Sequence, residues 1–106
     1  MDADNAPALG HGKIRLLEQI EQTGSISAAG RALGMSYRRT WLLVDSVNRL
    51  FAEPVVAARP GGGGGARLTE SGRAVLALYR QAEQQAKQGA ADSLRRLEEY
   101  LAPVAP

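Results

Sequence analysis

Gly24-Ser-Ile-Ser-Ala-Ala-Gly-Arg-Ala-Leu-Gly-Met-Ser-Tyr-Arg-Arg-Thr-Trp41 is the stretch on which the fold of this chain turns. Thr23-Gly24 stops whatever helix precedes it, because glycine accepts the left-handed conformation just past a helix end. Ser25 and Ser27 offer hydroxyl caps for a short helix through Ala28, Ala29, Ala32 and Leu33. Gly34-Met35-Ser36 reads as a tight turn, and Ser36 caps a third helix that opens on Tyr37-Arg38-Arg39. Thr40, Val44, Val47 and Phe51 give that helix an inward stripe, and Pro54 requires it to end first. Two helices joined by so short a turn form a helix-turn-helix, whose second helix is shaped to enter the major groove of DNA. On this reading Ala28, Ala29 and Ala32 are small because the two helices cross closely.

Working outward, residues 1–10 are polar, carry Pro7 and Gly10, and read as a loose terminus. Residues 11–22 place Ile14, Leu17 and Ile20, with Leu16 beside them, at helical spacing. On the other side, Val55-Val56-Ala57-Ala58 is short and β-prone, and Pro60 with the glycines at 61–65 separates it from Ala66-Arg67-Leu68. The glycine run has two readings: a flexible linker between modules, or the tip of a β-hairpin. The remainder contains helix but no second core, which favours the hairpin. Thr69 with Ser71-Gly72 opens a fourth helix, with Val75, Leu78, Tyr79 and Ala82 on one side. Gly89 weakens it, and Leu94, Leu97 and Leu101 resume the pattern until Pro103. The fold class expected is mainly α with a small β-hairpin, a winged helix-turn-helix followed by a long carboxy-terminal helix.

A chain of 106 residues suits one domain, and 44% hydrophobic with 23% charged residues is the balance of a globular one. The net charge of +2 hides an uneven distribution. Residues 31–80 hold eight arginines against Asp45, Glu53 and Glu70, a net +5, while both flanking segments are slightly acidic. Arginine matches phosphate and guanine edges bidentately, so this centre has the charge footprint of a nucleic-acid binder, although an ordinary solvated surface would also carry such charge. Without cysteine there are no disulfides, thiolate metal sites or thiol nucleophiles, and the single histidine, His11, has no catalytic neighbour in sequence. Glu98-Glu99 reads as a solvated helix face. No enzyme, metal or cofactor is expected, and with no span or signal segment the expected compartment is the cytoplasm.

The quoted stretch resembles the amino-terminal DNA-binding domain of ModE-type molybdate-responsive regulators, itself similar to the winged helix-turn-helix of LysR-type regulators. The resemblance continues through Val47-Asn48-Arg49-Leu50-Phe51, Glu53-Pro54, the glycine-rich wing and Leu68-Thr69-Glu70-Ser71-Gly72-Arg73, and covers roughly residues 11–85. It implies contact with bases and phosphates by Tyr37, Arg38 and Arg39. It also places Ser25, Ser27 and Ser36 at helix starts, where hydroxyls and amides can hold phosphates as well as cap. Arg59 and Arg67 flank the wing and should reach the backbone or the minor groove. Arg39 aligns with a position that is often small in that family, so it can instead lie along the surface. Trp41 reads first as core, yet its offset from Arg38 leaves an edge that can face DNA.

Two departures follow. Wings of that family usually carry a lysine or arginine among the glycines, and this one has none, so its affinity should rest on the flanking arginines. Full ModE regulators also continue into an oxyanion-binding module. Residues 86–106 are too short to supply one, so molybdate sensing is not expected of this polypeptide unless a separate oxyanion-sensing partner provides it.

The expected division is a flexible 1–10, a DNA-binding domain over 11–85 with its wing at 55–68, and a helical extension over 86–106. Such regulators bind as dimers, because two reading helices multiply a weak single contact. Val75, Leu78, Tyr79, Leu94, Leu97 and Leu101 are the residues expected at a homodimer interface, although those up to Ala82 can equally pack against the first helix. The rival function is a winged-helix adaptor that pairs with another regulator and no longer binds DNA.

Overall fold

The computed structural model of the chain describes residues 6–61 and 65–103, with side chains from residue 10 onward. Residues 1–5 of the expected loose terminus, the wing glycines 62–64 and residues 104–106 of the extension lie outside the described residues. The elements run α1 (Ala6–Thr23), α2 (Ile26–Ala32), α3 (Tyr37–Leu50), β1 (Val56–Ala58), β2 (Ala66–Leu68) and α4 (Glu70–Glu98). Helical structure begins earlier than the expected start at residue 11, with a kink at Gly10. Ala6, Ala8 and Leu9 favour helix, and Pro7 is tolerated in a first turn whose N–H groups have no intrahelical partner anyway.

α1 is the central element, touching α2, α3, β2 and α4. Ile14, Leu16, Leu17 and Ile20 are all buried, so this helix is covered on two sides and not along one stripe only. Ile26 and Ala29 from α2, Val44 and Val47 from α3, Val55 and Val56, Ala66 and Leu68 from the hairpin, and Leu76 from α4 complete one core.

Gly24 and Gly34 both adopt positive φ, ending α1 and turning the chain from α2 into α3. The close crossing of α2 and α3 belongs to a residue the pattern of alanines did not single out. A Cβ on Gly30 would lie 2.1 Å from the Thr40 hydroxyl, so only glycine lets the helices meet there. Ala29 is buried as expected, but Ala32 is exposed and takes no part in the crossing. Seven residues make barely two turns, and Ala32 falls on the outer side of the second.

The glycine run joins an antiparallel hairpin, with Val56 opposite Leu68, Ala57 opposite Arg67 and Ala58 opposite Ala66. The hairpin is tied to the entrance of the helix-turn-helix: Ser25 and Gly65 form a β-bridge, and the Ala66 N–H donates to the Gly24 carbonyl at 2.9 Å. Its other end is tied to α4. The Thr69 hydroxyl accepts from the Gly72 N–H (3.0 Å) and donates to the Pro54 carbonyl (2.7 Å). Ser71 donates to Glu53 at 2.8 Å. A Cβ on Gly72 would stand 2.1 Å from the Val55 carbonyl oxygen. The Leu-Thr-Glu-Ser-Gly run is therefore a fastening between strand and helix.

α4 is a single helix of 29 residues that passes through Gly89 and across residue 85 without a break. The cost of one glycine, about 1 kcal/mol against alanine, does not interrupt a helix flanked by Ala86, Lys87, Ala90 and Ala91. From Arg80 onward the described residues are exposed except Ala90, so the second half projects from the body. The radius of gyration of 17.8 Å, against about 13 Å for a compact chain of this length, records that projection.

Candidate nucleic-acid interface

α3 is held from behind. Thr40, Val44 and Val47 are buried against the core, and the Thr40 hydroxyl donates to the Ser36 carbonyl at 2.7 Å. The Ser36 hydroxyl caps the helix by accepting from the Arg39 N–H at 3.2 Å. On the opposite side, Arg38, Leu42, Asp45 and Arg49 recur at i, i+4, i+7 and i+11 and are all exposed. Arg49 pairs with Asp45 at 2.8 Å. Only Arg38 of this stripe was expected from the sequence. The helical spacing counted forward from Arg38 would have found the other three.

Trp41 is not a core residue. It lies about 100° around the helix from Thr40, is 45% exposed, and meets the edge of Tyr37 (65% exposed) in a T-shaped contact with ring centroids 6.2 Å apart. Trp41 also borders a concavity between α3 and the wing, together with Ile26, Asn48, Val56 and Gly65. Arg39 is turned the other way, lining a groove with Lys13, Arg15, Leu33 and Met35, which separates it from Arg38. Arg39 is exposed on that side of the helix.

Asn48 fixes the wing relative to α3. Its side-chain carbonyl accepts from the N–H groups of Val55 (2.8 Å) and Val56 (3.0 Å), and its amide donates to the Val56 carbonyl (3.2 Å). The sequence carries no sign of this role, because a tie to main chain seven and eight residues on leaves no local signature. On the wing, Arg67 stands exposed between the buried Ala66 and Leu68 and so points away from the core. Arg59 folds back over the hairpin base, donating from Nε to the Ala66 carbonyl at 3.2 Å. Its guanidinium covers Gly24, where a Cβ would come within 2.8 Å of it. Ser25 is the cap of α2, accepting from the Ala28 N–H at 3.1 Å, and Ser27 is half-buried in the first turn of that helix.

This arrangement has relatives. "Molybdenum-pterin-binding protein MopA" of Rhodobacter capsulatus is 49% identical over 76 residues, 70% of this chain and 29% of that protein. "Molybdenum transport protein ModE" of Azotobacter vinelandii is 44% identical over 85 residues, 78% of this chain and 32% of the relative. "DNA-binding transcriptional dual regulator ModE" of Escherichia coli K12 is 38% identical over 69 residues, 63% of this chain and 26% of that protein. A solved LysR family transcriptional regulator superposes on 79% of this chain and 28% of its own, with a TM-score of 0.61 at 17% identity, which shows the shared fold. No family model matches the chain. The chain carries a ModE-type winged helix-turn-helix domain. It spans about a third or less of the length of the curated relatives it matches.

The residues expected at a dimer interface divide into two groups in this ModE-type domain. Val75 and Tyr79 are half-buried and pack on the domain's own core, with the Tyr79 ring edge-on to His11 at 6.1 Å. Leu78, Leu94 and Leu97 remain between 55% and 64% exposed along α4. Leu101, equally exposed, lies past the end of the helix at Glu98, so the leucine pattern expected to run to Pro103 is helical only as far as Leu97. Among the described residues no cluster of His, Cys, Asp or Glu can hold a metal ion, and no helix is long and apolar enough to cross a membrane.

Proposed function

We propose that the chain is a sequence-specific, double-stranded-DNA-binding transcriptional regulator that lays α3 in the major groove and acts as a homodimer. The observation that carries this reading is the outward stripe of α3, polar at Arg38 and Asp45–Arg49 and apolar at Leu42, on a helix locked from behind by Thr40, Val44 and Val47. Arg38 matches the O6 and N7 edge of guanine, Leu42 and the Tyr37–Trp41 pair suit thymine methyl groups, and Asp45 orients Arg49. Asn48 holds the wing beside that helix so that Arg67 can meet the backbone. The exposed leucines of the outer half of α4 supply the surface through which two copies pair, placing two α3 helices on half-sites about 34–36 Å apart.

The names of the relatives support this reading and add a question about molybdenum. Selection of bound sequences from random duplex DNA, with and without molybdate, addresses both. A molybdate-dependent change seen only when an oxyanion-binding protein is added would favour a separate sensing partner. Within the selected site, Arg38→Ala should cost about 1–3 kcal/mol and relax one base position. Binding that is indifferent to both sequence and salt would overturn the DNA reading in favour of a protein-pairing adaptor.

A further inference from the structure

We propose that Arg59, Arg67 and Arg73 form a clamp for a phosphate group at the root of the wing, on the α1 side and not the α3 side. These three arginines line a concavity of about 110 Å³ together with Ile20, Glu21 and Leu68. That is room for about three waters, or for one phosphate group displacing them. Arg73 lies in the first turn of α4 and has no place in the interface described above.

The strand β2 organises all three side chains. The Ala66 carbonyl accepts from Arg59 Nε at 3.2 Å, and the Leu68 carbonyl accepts from the Arg73 guanidinium at 3.1 Å. Arg67 rises between them, with its side chain exposed. A guanidinium has five N–H donors, so one bond to a main-chain carbonyl fixes its position and leaves four to offer. Fixing the donors beforehand lowers the entropy lost on binding. Three arginines and one acidic residue, Glu21, line the concavity, so it retains an excess of positive charge, and the fork geometry of guanidinium suits a tetrahedral oxyanion. Because it lies at the wing, and given the DNA reading proposed above, the source of the phosphate is the DNA backbone. A free phosphate ion has the same chemistry.

The test uses the full chain and two probes, a fluorescent duplex of random sequence across a salt series and inorganic phosphate followed by arginine Nε–Hε NMR signals. Arg67→Ala leaves the ties of Arg59 and Arg73 intact and should weaken binding of random and selected duplexes alike, by about 3- to 10-fold at low salt. Arg67→Ala with Arg73→Ala should reduce the slope of log affinity against log salt by about 0.9 per clamp. Glu21→Gln should tighten binding by about 2-fold, by removing a charge that repels phosphate. Arg96→Ala, the same change of charge far along α4, should do neither.

An unchanged slope in the double variant, alongside loss of specificity in Arg38→Ala, overturns the backbone clamp while the DNA reading stands. A wild-type chain that binds no duplex overturns the DNA reading. The clamp is then judged on inorganic phosphate: joint shifts of the three Nε–Hε signals support it with a free ion as ligand, and their absence overturns it.

Discussion

α3 and the outer half of α4 are both exposed amphipathic helices with large apolar side chains in solvent, yet they are supported in opposite ways. Behind α3 stand three buried residues, a capped first turn, and an asparagine that ties its last turn to the wing. Beyond Tyr79, the described residues of α4 are exposed almost throughout, and Leu94 and Leu97, with Leu101 just past the helix end, are each more than half exposed. An exposed apolar group on a rigid platform, beside arginines and a wing, suits a groove that must be matched in shape. The same type of group repeated along a free helix suits another helix, where pairing buries a continuous stripe. The difference lies in what stands behind each surface.

This contrast is sharpest inside α4 itself, and the largest expected effect tests it there. Leu76 is almost fully buried, so Leu76→Ala should lower stability by about 2–5 kcal/mol in urea unfolding. A loss as small as that at an exposed leucine would erase the distinction between the halves. Next comes the tie that keeps α3 unlike α4. Asn48→Ala leaves the Val55 and Val56 N–H groups without their acceptor and should cost about 1–3 kcal/mol. Faster amide exchange at Val55 and Val56 than within α3 would locate the loss at the wing.

Ser36→Ala removes the cap of α3 and should cost about 1 kcal/mol, with fraying confined to Tyr37, Arg38 and Arg39. Leu94→Ala with Leu97→Ala should change the folding stability of a separated protomer least, by about 0.5 kcal/mol or less. The same pair should shift sedimentation from dimer toward monomer at micromolar concentration. Wild-type chain that sediments as a monomer under those conditions would remove the partner role of the outer half.

Local chemistry carried much of this fold. Ser25 and Ser36 each precede a helix and cap it, since a hydroxyl satisfies an N–H that no carbonyl reaches. The stripe Thr40, Val44, Val47 and the hairpin across the glycine run were equally legible, because periodicity and turn composition are properties of neighbouring residues. Less could be read where a residue answers to something distant. Trp41 reads as core by type, but its angle from the buried stripe puts it at the rim. Arg59 reads as a free wing cation, but the Ala66 carbonyl and the space over Gly24 draw it back onto the hairpin.

By itself, then, the sequence determined the order of elements, their caps, the buried faces of α1 and α3, and the arginine-rich centre. Those follow from short-range sterics, hydrogen bonding and hydrophobic period. Only the tertiary structure decided that Gly30 is the crossing point, that Asn48 joins helix to wing, and that Val75 serves the domain's own core while Leu97, on the same helix, faces outward. Each of these depends on which distant atoms arrive at a position, and no spacing along the chain records that.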